Sequence, residues 1–144
     1  MQSLDEVADV FDLLGDWEQR YQFLIELGEA LPPMSALDRV DGNKVKGCMS
    51  QVWVCARWRD QERKKLGFSG DCDTSIIKGV VALLIQLCDY KTAADIQQLD
   101  MDEIFQRLGL DQHLSPNRHV GVYAIVRLMQ QQAAALSCAE SVSG

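Results

Sequence analysis

Five cysteines stand in this chain, at positions 48, 55, 72, 88 and 138, and their surroundings differ enough to rank them. Cys48 lies in Gly47-Cys48-Met49-Ser50-Gln51-Val52-Trp53, at the seam between a polar loop and a strand-like run. The loop before it, Asp41-Gly42-Asn43-Lys44-Val45-Lys46, brings two ammonium groups close in sequence. A nucleophilic cysteine must be reachable and must ionise, and neighbouring cations favour the thiolate. Gly47 and Gly42-Asn43 add backbone freedom. Cys55 falls inside the predicted first strand. Cys88 falls on the stripe of a predicted buried helix, where a free cysteine usually packs as a small apolar group. Cys72 sits between Asp71 and Asp73, two carboxylates that oppose its ionisation. Cys138 belongs to a predicted fraying tail. Sulfur chemistry, if this chain performs any, starts at Cys48.

No CxxC pair occurs, and His113 and His119 are not at metal-ligand spacing from any cysteine, so zinc-knuckle and thioredoxin-like motifs are absent from the sequence. Neither histidine is near Cys48 in sequence, which leaves the thiol without a neighbouring base of the kind a self-contained thiol enzyme uses.

The elements that must position Cys48 follow from periodicity. A chain of 144 residues, 47% hydrophobic with net charge -7, suits one globular domain, here 1–136, followed by a flexible tail, 137–144. The acidic balance argues against nucleic acid. No stretch reaches the roughly 20 apolar residues of a membrane span. Residues 1–16 lack the basic and apolar regions of a signal peptide, and an odd number of cysteines suits a reducing compartment, so a cytoplasmic location is expected.

Leu4, Val7, Val10, Phe11 and Leu14 define a first helix over 3–14. Asp16 caps a second that runs to Leu31 before Pro32-Pro33, with Trp17, Tyr21, Leu24, Ile25 and Gly28 on its apolar stripe. Val52, Val54, Ala56 and Trp58 alternate with Trp53, Cys55, Arg57 and Arg59, the period of a strand, and a turn at Asp60-Gln61-Glu62 leads to a second strand carrying Leu66, Phe68 and Gly70. Arg39–Val45 is expected to add a short third strand. Helix returns at Asp73 or Thr74, and Ile76, Ile77, Val80, Val81, Leu84, Leu87 and Cys88 make it the central buried helix. Thr92 and Asp100 cap two short helices, and Ser115-Pro116 opens a last one to about Leu136. The predicted class is α/β of the α+β kind, a small antiparallel three-stranded sheet with helices packed on one face.

Several motifs recur in a familiar order. Trp17-Glu18, Tyr21, Ile25-Glu26-Leu27-Gly28 and Leu31-Pro32 are followed by Gly47-Cys48-x-Ser50-x-Val52-Trp53. Gly70-Asp71-x-Asp73, Ile77-Lys78-Gly79 and Gln112-His113-Leu114-Ser115-Pro116-x-Arg118-x-x-Gly121 come after. From about Asp16 to Leu136 the chain resembles the SufE family of sulfur acceptors for cysteine desulfurases. Its Ser50-Gln51 is closer to SufE itself than to the CsdE branch. The resemblance implies a fold shared with the IscU/NifU iron–sulfur scaffolds. It implies a persulfide carried on Cys48, taken from a PLP-dependent desulfurase of the SufS or CsdA kind and delivered to a SufBCD-like assembly scaffold. It also implies stimulation of that desulfurase without turnover alone, no cofactor on this chain, and docking through Ser50, Gln51, Asp73 and Arg118. A homodimer is a further possible partner state. The chain departs from the usual family pattern at Cys72-Asp73-Thr74 and at Val122. Two other readings stay open on the residues: a self-contained thiol enzyme, and a non-catalytic adaptor. Leu66, Phe68 and Trp53 are candidates for a shelter around the carried sulfur.

Overall fold

The computed structural model describes residues 4–47, 50–114 and 116–143. Its elements are α1 (Leu4–Leu14), α2 (Trp17–Glu29), β1 (Val52–Asp60), β2 (Lys65–Cys72), α3 (Ser75–Cys88), α4 (Ala93–Gln97), α5 (Met101–Leu108) and α6 (Pro116–Ser143). Short 3-10 turns at Asp41–Asn43 and Leu110–Gln112 join them.

Capping signals placed the helix starts well. Asp16 accepts a hydrogen bond from Gln19 N at 2.9 Å, Thr92 and Asp95 form a reciprocal capping box at α4, and Asp100 accepts from Glu103 N at 3.2 Å, each satisfying a donor that the first helical turn leaves open. α2 stops at Glu29, two residues short of the expected Leu31, because Ala30 N and Leu31 N turn back to Glu26 O and Gly28 O ahead of the prolines. α6 continues to Ser143, past the expected end at Leu136.

β1 and β2 form an antiparallel hairpin in the register Val52↔Cys72, Val54↔Gly70, Ala56↔Phe68 and Trp58↔Leu66. These residues share one face, and Val52, Val54, Leu66, Phe68 and Cys72 are buried on it. α3 covers that face: a Cβ on Gly70 would lie 3.0 Å from both Val81 and Ile85. The core continues through Leu83, Leu84, Ile125 and Met129. α2 crosses α3 with backbones almost touching. A Cβ on Gly28 would meet Gly79 N at 2.9 Å, and one on Gly79 would overlap the Leu24 carbonyl. Only glycine permits that approach.

The expected third strand does not form among the described residues; the sheet has two strands. Residues 41–43 turn, and only Lys44 bridges to Trp53, with Val45 N donating to Val52 O at 2.8 Å. Farther along, the outer edge of β1 is taken by a side chain. Gln132 of α6 donates from Nε2 to Val54 O at 2.8 Å and accepts from Ala56 N at Oε1 at 3.0 Å. One carboxamide presents the donor and acceptor that a neighbouring strand residue would present. The same Nε2 lies 3.3 Å from Asn43 Oδ1, tying the turn to the helix.

Candidate functional site

Cys48 lies outside the described residues, together with Met49 and Ser115, so the site is built from what flanks it. On the upstream side Gly47 has φ +87, a left-handed conformation that costs a side chain energy and glycine little. Val45, buried, is held by its bond to Val52 O. Downstream, Ser50 Oγ and Thr74 Oγ1 share a 2.6 Å hydrogen bond. Thr74 Oγ1 lies 3.2 Å from Asp73 Oδ1. The carboxylate only accepts, so Thr74 donates to it and Ser50 donates to Thr74. Asp73 Oδ1 also accepts from Gln51 N at 3.0 Å, and Asp73 N donates to Gln51 O at 3.1 Å. The hairpin ladder is thus prolonged past Val52↔Cys72 by side chains at the N-cap of α3.

Charge gathers beside this point. Asp71 pairs with Arg39 and, at 3.4 Å, with Lys78 Nζ of α3, and its Oδ1 accepts from Cys72 N at 2.8 Å. Arg39 and Lys44 stand over the Trp53 ring at 5.8 and 5.9 Å from its centroid, within cation–π range. Lys46 is exposed. Sequence reasoning named Asp71 as part of a motif and as a carboxylate beside Cys72, Lys78 as part of a motif and Thr74 as a possible helix start, and assigned Arg39 no partner; their convergence depends on the α3 N-terminus meeting the end of β2.

The other cysteines now have environments. Cys88 is 1% exposed, and burial pushes its thiol up to about 12. Burial raises the Cys55 thiol as well, assisted by the Asp38 carboxylate, whose Oδ1 lies 3.8 Å from Sγ. Cys72 is buried at 6% exposure, with Thr74 N 3.4 Å from its Sγ. The carboxylates of Asp71 and Asp73 on either side of it are engaged by cations and by N–H or O–H donors. Cys138 is exposed on the last turns of α6.

Of the residues expected to dock a partner, Ser50, Gln51 and Asp73 come together in the hydrogen-bond chain above. Arg118 lies in the first turn of α6, and its side chain is outside the described residues. The shelter expected from Leu66, Phe68 and Trp53 is not assembled. Leu66 and Phe68 face the core in the half of the sheet nearer the turn, whereas Trp53 points to the opposite face because the pleat alternates. Both histidines stack on aromatic rings, His113 on Trp17 at 3.7 Å between ring centroids and His119 on Phe105 at 4.9 Å.

A two-stranded hairpin backed by helices, with a short polar-anchored loop at its open end, defines an α+β protein. Its backbone superposes on the solution structure of a hypothetical protein from Thermus thermophilus with a TM-score of 0.74, over 92% of this chain and 93% of that one, at 19% identity. Residues 5–133 match the SufE family, described as an Fe-S metabolism associated domain, and the chain belongs to that family. It is 41% identical over 134 residues to an uncharacterised SufE-like protein of Rhizobium etli, covering 92% of this chain and 90% of the relative. A SufE-like protein of Rhizobium meliloti, also uncharacterised, is 40% identical over 134 residues, with 92% and 96% covered. Association with Fe-S metabolism follows from the family. No helix among the described residues is long and apolar enough to cross a membrane.

Proposed function

We propose that this protein accepts sulfane sulfur on Cys48 from the persulfide of a PLP-dependent cysteine desulfurase, stimulates that enzyme by removing its product, and delivers the sulfur to an iron–sulfur assembly scaffold. The observation that carries this reading is the pair of anchors around the Gly47-Cys48-Met49-Ser50 segment. Val45 is bonded to Val52 on one side and Ser50 to Thr74 on the other, in a chain of the SufE family. An acceptor that must meet a donor on another protein benefits from a thiol on a short segment with fixed ends and a glycine hinge. The remaining cysteines suit the role less well, three by burial or a raised thiol and Cys138 by standing on the far end of α6.

The transfer is redox-neutral. The Cys48 thiolate attacks the outer sulfur of the donor persulfide. The donor S–S bond breaks as a new one forms at Cys48, and the donor cysteine leaves as a thiolate. Lys44 and Lys46 supply positive charge next to the acceptor in sequence, favouring its ionised form. Ser50, Thr74 and Asp73 position the segment, while Gln51, exposed, and Arg118 are the residues offered to the partner.

Intact mass spectrometry after incubation with a cysteine desulfurase and cysteine tests it. The protein gains about 32 Da per sulfur, reversibly with thiol reductant, and Cys48→Ser gains none while losing stimulation of alanine release. Stimulation that survives Cys48→Ser would make this an adaptor and end the carrier reading.

A further inference from the structure

The two outer edges of the hairpin are closed unequally. On β1, Val54 O and Ala56 N point away from β2 and are met by Gln132. Their cross-strand partners are Gly70 and Phe68. Opposite residues of an antiparallel pair either bond to each other or both turn outward, so Phe68 and Gly70 direct their N–H and C=O groups away from β1. The same parity holds toward the ends of β2. Leu66 N donates to Lys91 O at 2.7 Å, Leu66 O accepts from Tyr90 N at 2.8 Å, and Cys72 N donates to Asp71 Oδ1 at 2.8 Å. Between these closed ends, the two N–H and two C=O groups of Phe68 and Gly70 have no hydrogen-bond partner among the described residues. Both residues are buried, and native folds pair nearly all their buried backbone groups.

A cleft of about 320 Å³ follows this stretch, lined by Phe68, Ser69 and Gly70 in succession. Consecutive strand side chains alternate faces, so three in a row meet one cleft along the strand edge. Pro32 and Pro33 line it too, and prolines have no N–H with which to complete the ladder. On the α3 face the cleft meets Ile85, whose Cδ1 would lie 3.0 Å from a Cβ on Gly70. On the other face it meets Arg57 and Arg59. Gly67 lets the Arg59 stem cross β2, since a Cβ there would lie 2.6 Å from Arg59 Cγ. Each guanidinium has one long ion pair, Arg57 to Asp38 at 3.5 Å and Arg59 to Asp89 at 3.4 Å, which leaves most donors of each fork available.

We propose that this edge receives an extended segment of a partner protein as an added strand, one in which aliphatic and acidic residues alternate. The register divides the labour. A residue that exchanges both main-chain bonds with Phe68 or Gly70 shares their face, so it lies toward Ile85 and is aliphatic. The residues between point to the other face, toward Arg57 and Arg59, and are acidic. Main-chain bonds supply the attachment and the alternation supplies selectivity. The surface is separate from the Cys48 segment and does not rest on the sulfur-carrier reading.

Titration of the whole 15N-labelled protein with a blocked heptapeptide of alternating glutamate and valine tests the proposal. Amide signals of Phe68 and Gly70 should shift saturably, with a Kd on the order of 1 mM. Their hydrogen exchange should slow at least about tenfold at saturation. N-methylation of the valines removes the donors that meet β2 and should abolish the shifts, whereas N-methylation of the glutamates, whose N–H groups point away from β2, should preserve them. A valine–lysine heptapeptide should bind at least about fivefold more weakly, as should the valine–glutamate peptide to Arg59→Gln. Absence of saturable shifts at Phe68 and Gly70, or equal binding of the two N-methylated peptides, would overturn the added strand. Equal binding of the lysine peptide would overturn the acidic partner.

Discussion

The α2–α3 crossing and the open end of the hairpin solve the same problem, joining two segments remote in sequence, by opposite means. At the crossing the backbones meet directly, Gly28 on Gly79, with Leu24 buried between them. At the hairpin end the contact is polar: Ser50 to Thr74, Gln51 to Asp73, and Asp71 shared by Arg39 and Lys78. Close packing admits one arrangement and resists change, because overlap rises steeply with any displacement. A hydrogen bond at a half-exposed site contributes only about 1 kcal/mol, since water replaces it at little cost. The rigid contact therefore lies in the frame, and the exchangeable contacts lie at the end of the hairpin that flanks Cys48 in sequence.

That contrast is broken most severely at Gly79. Gly79→Ala drives a methyl group into the Leu24 carbonyl. Backbone cannot rotate away as a side chain does, so the expected loss is about 4 kcal/mol or more, measured by urea denaturation. A loss below about 1 kcal/mol would show that α2 slides freely over α3 and that the crossing is no frame.

High pH probes the packed frame next. The Cys88 thiol is raised from 9.0 to about 12 in the folded protein. Below pH 9.0 folded and unfolded chains both hold the proton, and its contribution is complete. Above it the unfolded thiol ionises first, so stability falls as pH climbs toward about 12, by about 3 kcal/mol at pH 11. Cys88→Val should remove this component of the slope. An unchanged slope would place the alkaline loss elsewhere.

Gln132→Ala sharpens the comparison between the two sides of β1, where a side chain stands in for a strand. It frees Val54 O and Ala56 N together, for an expected loss of about 2 kcal/mol. Hydrogen exchange should quicken at Ala56 while Val45, bonded to Val52 O, stays protected. Equal quickening at both would mean that the edge opens as a unit.

The smallest effect on stability is expected at the polar end. Thr74→Val breaks the link from Ser50 to Asp73 and should cost about 1 kcal/mol. Its effect on sulfur uptake in the desulfurase incubation should be larger, several-fold in rate, because the anchor of the Cys48 segment is lost. A stability loss without any change in uptake would separate the anchor from the site.

Much of this architecture is local in origin. Asp16, Thr92 and Asp100 announce helix starts because a cap is satisfied within three residues of itself. The alternation from Val52 to Trp58 and the apolar circumference of residues 76–88 give the hairpin and the buried helix, since periodicity is a property of the chain alone. The motif around Cys48 and its order relative to Gly70-Asp71-x-Asp73 sufficed for the family. What tertiary structure decided is who meets whom at a distance. Gln132 occupies the outer edge of β1, and the strand expected over Arg39–Val45 does not form among the described residues; this contact between α6 and β1 is one that no local pattern signals. Trp53 parts from Leu66 and Phe68 because pleat and register, not composition, assign the face. Asp71 gathers Arg39 and Lys78, and Ser50 finds Thr74, only when β2 ends beside the start of α3. Local propensity depends on a few neighbouring residues, whereas these pairings depend on the packing of elements that only the complete chain can supply.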